Sequence, residues 1–151
     1  MHPTSRSAAQ AVLWLTLAVP LFVSIGGLAI DGGVLLSARR ELQSVADGAA
    51  RAGATRIDMA HLRSSGGSEV QLDPRLATSA ARTYVDDALI ATAHAWQATP
   101  DIQIDVGTRR VNLLIRARLP TAFLRVVHID DVPVDARAFA DVQSGIHDGG
   151  G

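Results

Sequence analysis

The sequence predicts an α+β protein: a long N-terminal transmembrane helix with an amphipathic extension, then a small domain of one helix and about three antiparallel strands. Three observations carry this. Ser7 to Ile30 form an uncharged apolar run, and a helix needs about 20 such residues to cross a bilayer. Leu35, Ala38, Leu42, Val45, Ala49 and Ala52 then alternate spacings of three and four, one stripe on a continuing helix. Beyond Pro100, apolar and polar residues alternate with a period of two, as half-buried strands do. The expected organisation is a leader over 1–6, a transmembrane helix over 7–30 and an amphipathic extension over 31–57. A flexible loop over 58–72, a small α+β domain over 73–143 and a disordered tail over 144–151 follow.

Composition narrows the function. Of 151 residues, the 14 basic ones are all Arg and net charge is −1, so no general electrostatic attraction to nucleic acid arises. There is no cysteine, which excludes disulfides, Cys-zinc sites and thiol catalysis. Aromatic residues make up only 4%, too few for a platform that stacks bases or sugars.

The apolar run admits three readings. A retained membrane helix accounts for its length and for the helical pattern that continues past it. A cleaved secretory signal fits the leader with Arg6 and a small-residue site at Ser24-Ile25-Gly26, but its apolar core is usually only about 7–15 residues. A buried soluble helix of this length rarely lacks a polar face. Pro20 removes one helix hydrogen bond and is expected to kink the span. Gly26-Gly27 and Gly32-Gly33 either permit close helix approach or loosen the helix where it leaves lipid. Asp31 is the first charge after the run. At the lipid boundary it rests among headgroups; within hydrocarbon it would need a partner and mark a functional contact.

The seam from Leu35 to Ala52 is Ala-rich, with Arg39, Arg40, Glu41, Gln43, Ser44, Asp47 and Arg51 on the other faces. It covers either the domain that follows or a partner helix. The residues singled out for helix interaction are Gly26, Gly27, Asp31, Leu35, Leu42, Val45 and Ala49.

Gly27-Leu28-Ala29-Ile30-Asp31, the Leu36–Arg39-Arg40–Leu42-Gln43 stretch and Ala46-Asp47-Gly48-Ala49-Ala50–Ala52-Gly53-Ala54 follow one another in order. This combination resembles the N-terminal signature of the TadE/TadG-like family of tight-adherence (Flp-type) pilus-assembly proteins over about residues 7–55. The resemblance implies a pilin-like plan and a non-catalytic, pseudopilin-like or anchored component of a bacterial cell envelope. It implies a single-pass protein of the cytoplasmic membrane with its N-terminus inside and its C-terminal domain outside. Its partners would be the lipid bilayer and other pilus-assembly or pilin-like membrane proteins, with no nucleic acid, no small-molecule substrate and no cofactor. Pilin-type pseudopilins carry a cleavage site and a Glu early in the apolar helix. Here no Glu precedes Glu41 and no Gly precedes Gly26, which favours a TadG-like anchor that keeps its leader. The alternative is a secreted or periplasmic binding protein with a cleaved signal peptide.

After Arg56 the Ser/Gly-rich stretch Ser64 to Ser68 reads as a connection. Asp73-Pro74 starts a helix, an Asp N-cap with Pro at the first helical position. That helix is expected to reach about Trp96, with Ala81, Val85, Ala88, Leu89, Thr92 and Trp96 on one face. Ile102, Ile104 and Val106 mark a first strand, and Val111 to Leu119 a second, joined as a hairpin through Gly107-Thr108-Arg109. Thr121 to Val127 suggests a helical turn, and Val132 to Ala140 a third strand entered at Pro133, an edge feature.

Candidates for chemistry are few: His128 with Asp130 and Asp131, His94 seven residues after Asp87, and His61 and His147 in expected loops. None has the spacing of convergent metal ligands. The Arg109-Arg110 pair is expected in the solvated hairpin turn rather than at an anion site. No nucleophile elbow, phosphate loop or dinucleotide fingerprint occurs.

Overall fold

The computed structural model describes residues 4–92 and 96–142. The expected tail and the histidines His94 and His147 lie outside the described residues, apart from the tail's neighbour Val142. One helix, α1 (Thr4–Ala54), runs through both the apolar run and the seam without interruption at Pro20. Its 51 residues make it about 76 Å long at 1.5 Å per residue. A short helix α2 (Met59–Ser64) and a longer α3 (Pro74–Ala91) follow. Strands β1 (Asp101–Val106), β2 (Arg110–Pro120) and β3 (Asp131–Asp141) form one antiparallel sheet in the order β1-β2-β3. A single 3-10 turn, Leu124–Val127, interrupts the β2–β3 connection.

The sheet has one apolar face, and α1 and α3 cover it. Leu113, Ile115, Ala117 and Leu119 of β2 and Val134, Ala136 and Ala138 of β3 share a core with Ala38, Leu42, Val45, Ala46, Ala49 and Ala50 of α1 and with Ala81 and Val85 of α3. The buried stripe on α1 is therefore wider than the heptad seam, because Ala46 and Ala50 are covered as well. A narrow seam suits one partner helix; a helix wedged between a sheet and a second helix buries a broader face. The alanines matter here, since small side chains let three backbones approach closely. Gly53 fits closely between α3 and β2: a Cβ there would lie 3.1 Å from the carbonyl oxygen of Ala77 and 3.2 Å from Cγ2 of Val111.

Three local expectations change. Helix α3 ends at Ala91, not near Trp96. Thr92 turns extended, its hydroxyl donates to the Leu89 carbonyl at 2.9 Å, and the Gln97 N–H is drawn to the Arg118 carbonyl on β2 at 2.9 Å. Trp96 still packs against the core, as a flank rather than as part of the helix. The stretch 58–72, expected as a flexible loop, contains α2, whose N-cap Asp58 accepts the Ala60 and His61 N–H groups at 2.9 Å each. Asp58 N–H closes the stretch on Gln71 C=O at 2.8 Å, while Leu72 N–H to Thr108 C=O and Asp73 N–H to Arg56 C=O, each at 2.9 Å, tie it to the body. Arg110, expected in a solvated turn, is the first residue of β2. It lies opposite Asp141 of β3, donates to both its carboxylate oxygens at 2.7 and 2.9 Å, and stacks 4.8 Å over the Phe139 ring. The hydrogen bond from Arg110 holds the Asp141 carboxyl below the usual carboxylate range.

The core makes a direct prediction. Leu42 is fully buried and Leu36, six residues earlier on another face of α1, is exposed. Leu42→Ala should destabilise the domain by about 2–5 kcal/mol, whereas Leu36→Ala should stay within about 0.5 kcal/mol. Denaturant unfolding of the full chain in detergent micelles measures both; equal effects would contradict the assignment of Leu42 to the core.

Candidate functional site at the end of the apolar helix

The two halves of α1 live in different surroundings. From Gln10 to Gly26 the described side chains are exposed, apart from a half-covered Ala18. Among the described residues this is the one helix long and apolar enough to cross a membrane. The first buried residue is Gly27, and from there to Ala54 the helix keeps one face against the domain.

The junction is built by Gly27 and Asp31, one turn apart on the same face of α1. The Phe123 ring lies on Gly27 so closely that a Cβ there would come within 2.6 Å of its Cγ and Cδ1 atoms. Only a residue without a side chain leaves room for the ring. Asp31 is 4% exposed. Its carboxylate accepts three backbone N–H groups: Ala122 at 3.0 Å, Phe123 at 2.9 Å and Leu124 at 2.7 Å. These are donors that the start of a helical turn leaves free. The turn Leu124–Val127 has no side-chain cap of its own, Phe123 standing at its N-cap position. Asp31 supplies that cap from α1, more than 90 residues earlier in the chain. Asp31 is thus buried, with both carboxylate oxygens engaged by the chain's own backbone.

The β2–β3 loop is itself closed. The Thr121 N–H donates to Asp130 C=O at 3.0 Å and its hydroxyl to Ile129 C=O, while Ile129 N–H returns to Leu124 C=O at 3.1 Å. His128 ends the turn in the left-handed region at φ 64°, donating its N–H to Arg125 C=O at 3.0 Å. Such a φ is uncommon for non-glycine residues, although His is among those that tolerate it. His128 therefore has a backbone role here.

The other residues singled out from sequence separate into groups. Leu42, Val45 and Ala49 are buried in the chain's own core, and Leu35 packs half-buried beside it. Of the two surfaces open to the seam, it covers the domain. Gly26 points away from the domain, with nothing within 4 Å of a Cβ placed on it. His61 pairs with Glu69 at 3.1 Å on the surface. Among the described residues no three His, Asp or Glu side chains converge to hold a metal ion. Sequence reasoning missed Phe123 and Thr121, because nothing in the local pattern links residues 121–124 to Asp31.

The clasp can be tested by hydrogen exchange. Asp31→Ala should speed exchange of the Ala122, Phe123 and Leu124 amides while leaving those of β2 near Ile115 protected. Asp31→Asn, which keeps one acceptor oxygen, should have a smaller effect. Unchanged protection at all three amides in Asp31→Ala would show that the carboxylate does not hold the loop.

Comparison with known proteins bears on the same segment. No curated protein and no solved structure matches the chain. Residues 8–56 match the family described as putative Flp pilus-assembly TadE/G-like. The match covers about the N-terminal third of the chain, from the apolar half of α1 through its Ala-rich, domain-building half, and there the chain is similar to this family.

Proposed function

We propose that this protein is a membrane-anchored, non-catalytic component of a Tad/Flp-type pilus-assembly or related secretion system. The apolar half of α1 spans the bacterial cytoplasmic membrane with the N-terminus inside, and the α+β domain stands outside. One observation carries the reading: the family match covers a single unbroken helix, exposed and apolar before Gly27 and one-faced after it. Such a helix transmits position mechanically. A displacement of the span in the bilayer moves the domain with it, because Asp31, Leu42 and Ala49 bind the emerging part of α1 to the loop and sheet. Its exposed apolar side chains, among them Leu21, Phe22 and Ile25, remain available to lipid or to the helices of other pilus components. Without a Glu in this half, the chain lacks the charged group of a pilin-type helix. An anchor or assembly factor therefore accounts for it better than a polymerising subunit.

A second reading is a secreted binding protein released by cleavage near Ser24-Ile25-Gly26. The observation in its favour is that burial begins at Gly27, so the folded part would survive the cut. N-terminal sequencing of the mature protein separates the two: a start close to Gly27 would sink the anchor reading. For the pilus role, deletion of the gene should abolish surface pili, and the full-length chain should restore them. A photo-crosslinker replacing Leu21 should capture another pilus-assembly membrane protein. Normal piliation in the deletion strain would exclude the proposed role.

A further inference from the structure

The β2–β3 loop carries four exposed apolar residues within seven positions: Phe123 (41%), Val126 (81%), Val127 (62%) and Ile129 (43%). Elsewhere on the domain the large exposed apolar side chains are scattered, as with Met59, Leu76, Ile90 and Phe139. Scattered ones are ordinary; a cluster indicates a surface that something covers.

The position of the cluster says what covers it. Phe123 rests on Gly27, which lies within the apolar run and three residues before its end at Ile30. At 1.5 Å per residue that contact is about 4.5 Å inside the end of the run. A bilayer that accommodates the span therefore meets the loop at the depth of its boundary with the headgroups. The exposed face of α1 continues past this level through Leu28 and Ile30, so the loop's apolar surface joins that of the span.

The backbone suits that boundary. Asp31 takes the N–H groups of residues 122–124, and Val126, His128 and Ile129 donate to carbonyls inside the loop at 3.0 to 3.1 Å. Irregular backbone enters an apolar boundary only when its polar groups are satisfied in this way. Arg125 and Asp130, 3.6 Å apart and exposed, offer polar groups that stay with the headgroups while the valines go deeper.

We propose that the β2–β3 loop is a second membrane contact, seating Phe123, Val126, Val127 and Ile129 in the headgroup–acyl boundary of the leaflet from which α1 emerges. It rests on the reading that the apolar run spans the bilayer. With the clasp at Asp31, this contact fixes the tilt and rotation of the domain above the membrane. A single helix free to turn in lipid would leave both undetermined.

The chain has no cysteine, so single-cysteine variants label cleanly. Full-length Val126→Cys, Phe22→Cys and Ser79→Cys, each carrying an NBD fluorophore, are reconstituted into phosphatidylcholine vesicles containing lipids with shallow or deep doxyl groups. Val126 is 81% exposed and Ser79 lies on the outer surface of α3, so neither change disturbs the core; circular dichroism verifies the fold. The label at position 126 should shift to the blue and be quenched more by shallow than by deep doxyl. The label at 22 should be quenched more by deep doxyl, and that at 79 should show neither effect. A quenched label at 22 with a label at 126 that behaves like the one at 79 overturns the loop contact alone. A blue-shifted but unquenched label at 126 overturns it too, by showing a protein cover such as a second copy of the chain. An unquenched label at 22 removes the spanning helix, and the loop proposal with it.

Discussion

The domain depends on one helix whose two halves have different surroundings. The three-stranded sheet has a single apolar face, and α3 and the second half of α1 cover it. Leu42, Val45 and the alanines between Ala38 and Ala50 close that face. Removing them would expose much of the buried face of β2 and β3 to water. The same helix, before Gly27, presents apolar side chains on every side. The two halves are one continuous helix, so whatever holds the apolar half of α1 also holds one wall of the domain's core.

The change of environment along α1 is sharp, and Asp31 marks it. A carboxylate so close to an apolar run is costly unless its oxygens are engaged. Three backbone donors from the β2–β3 loop engage them. The arrangement is reciprocal, since the turn Leu124–Val127 has no cap within its own segment and the carboxylate completes it. Gly27 and Phe123 add a steric counterpart one turn away. The loop therefore cannot shift along α1 without breaking both. This suits a protein proposed to act by position rather than by chemistry.

Much of this architecture was legible in the sequence. The uncharged run, the 3–4 spacing from Leu35 and the period-two alternation from Ile102 onward each announce an element through backbone periodicity, which local sequence encodes directly. The Asp73-Pro74 start of α3 was legible for the same reason, because capping is a contact between near neighbours. The end of α3 was not: Thr92 leaves the helix as the chain is drawn to β2 through Gln97 and Arg118. Nor was the order in 58–72, where bonds from Asp58 and Asp73 to distant backbone outweigh a Ser/Gly-rich composition. Arg110 looked like half of a basic turn until β3 brought Asp141 and Phe139 beside it.

The sequence by itself determined that the chain has a span-length apolar helix, a one-faced continuation and a small antiparallel sheet. Those are properties of spacing and composition within one segment. Only the tertiary structure decided where the continuation's stripe is spent, what Asp31 binds and why position 27 is glycine. Each of these depends on a partner some 60 to 100 residues away, brought close by the packing of α1 on the β2–β3 end of the sheet. No local pattern at Asp31 encodes the three amides that meet it.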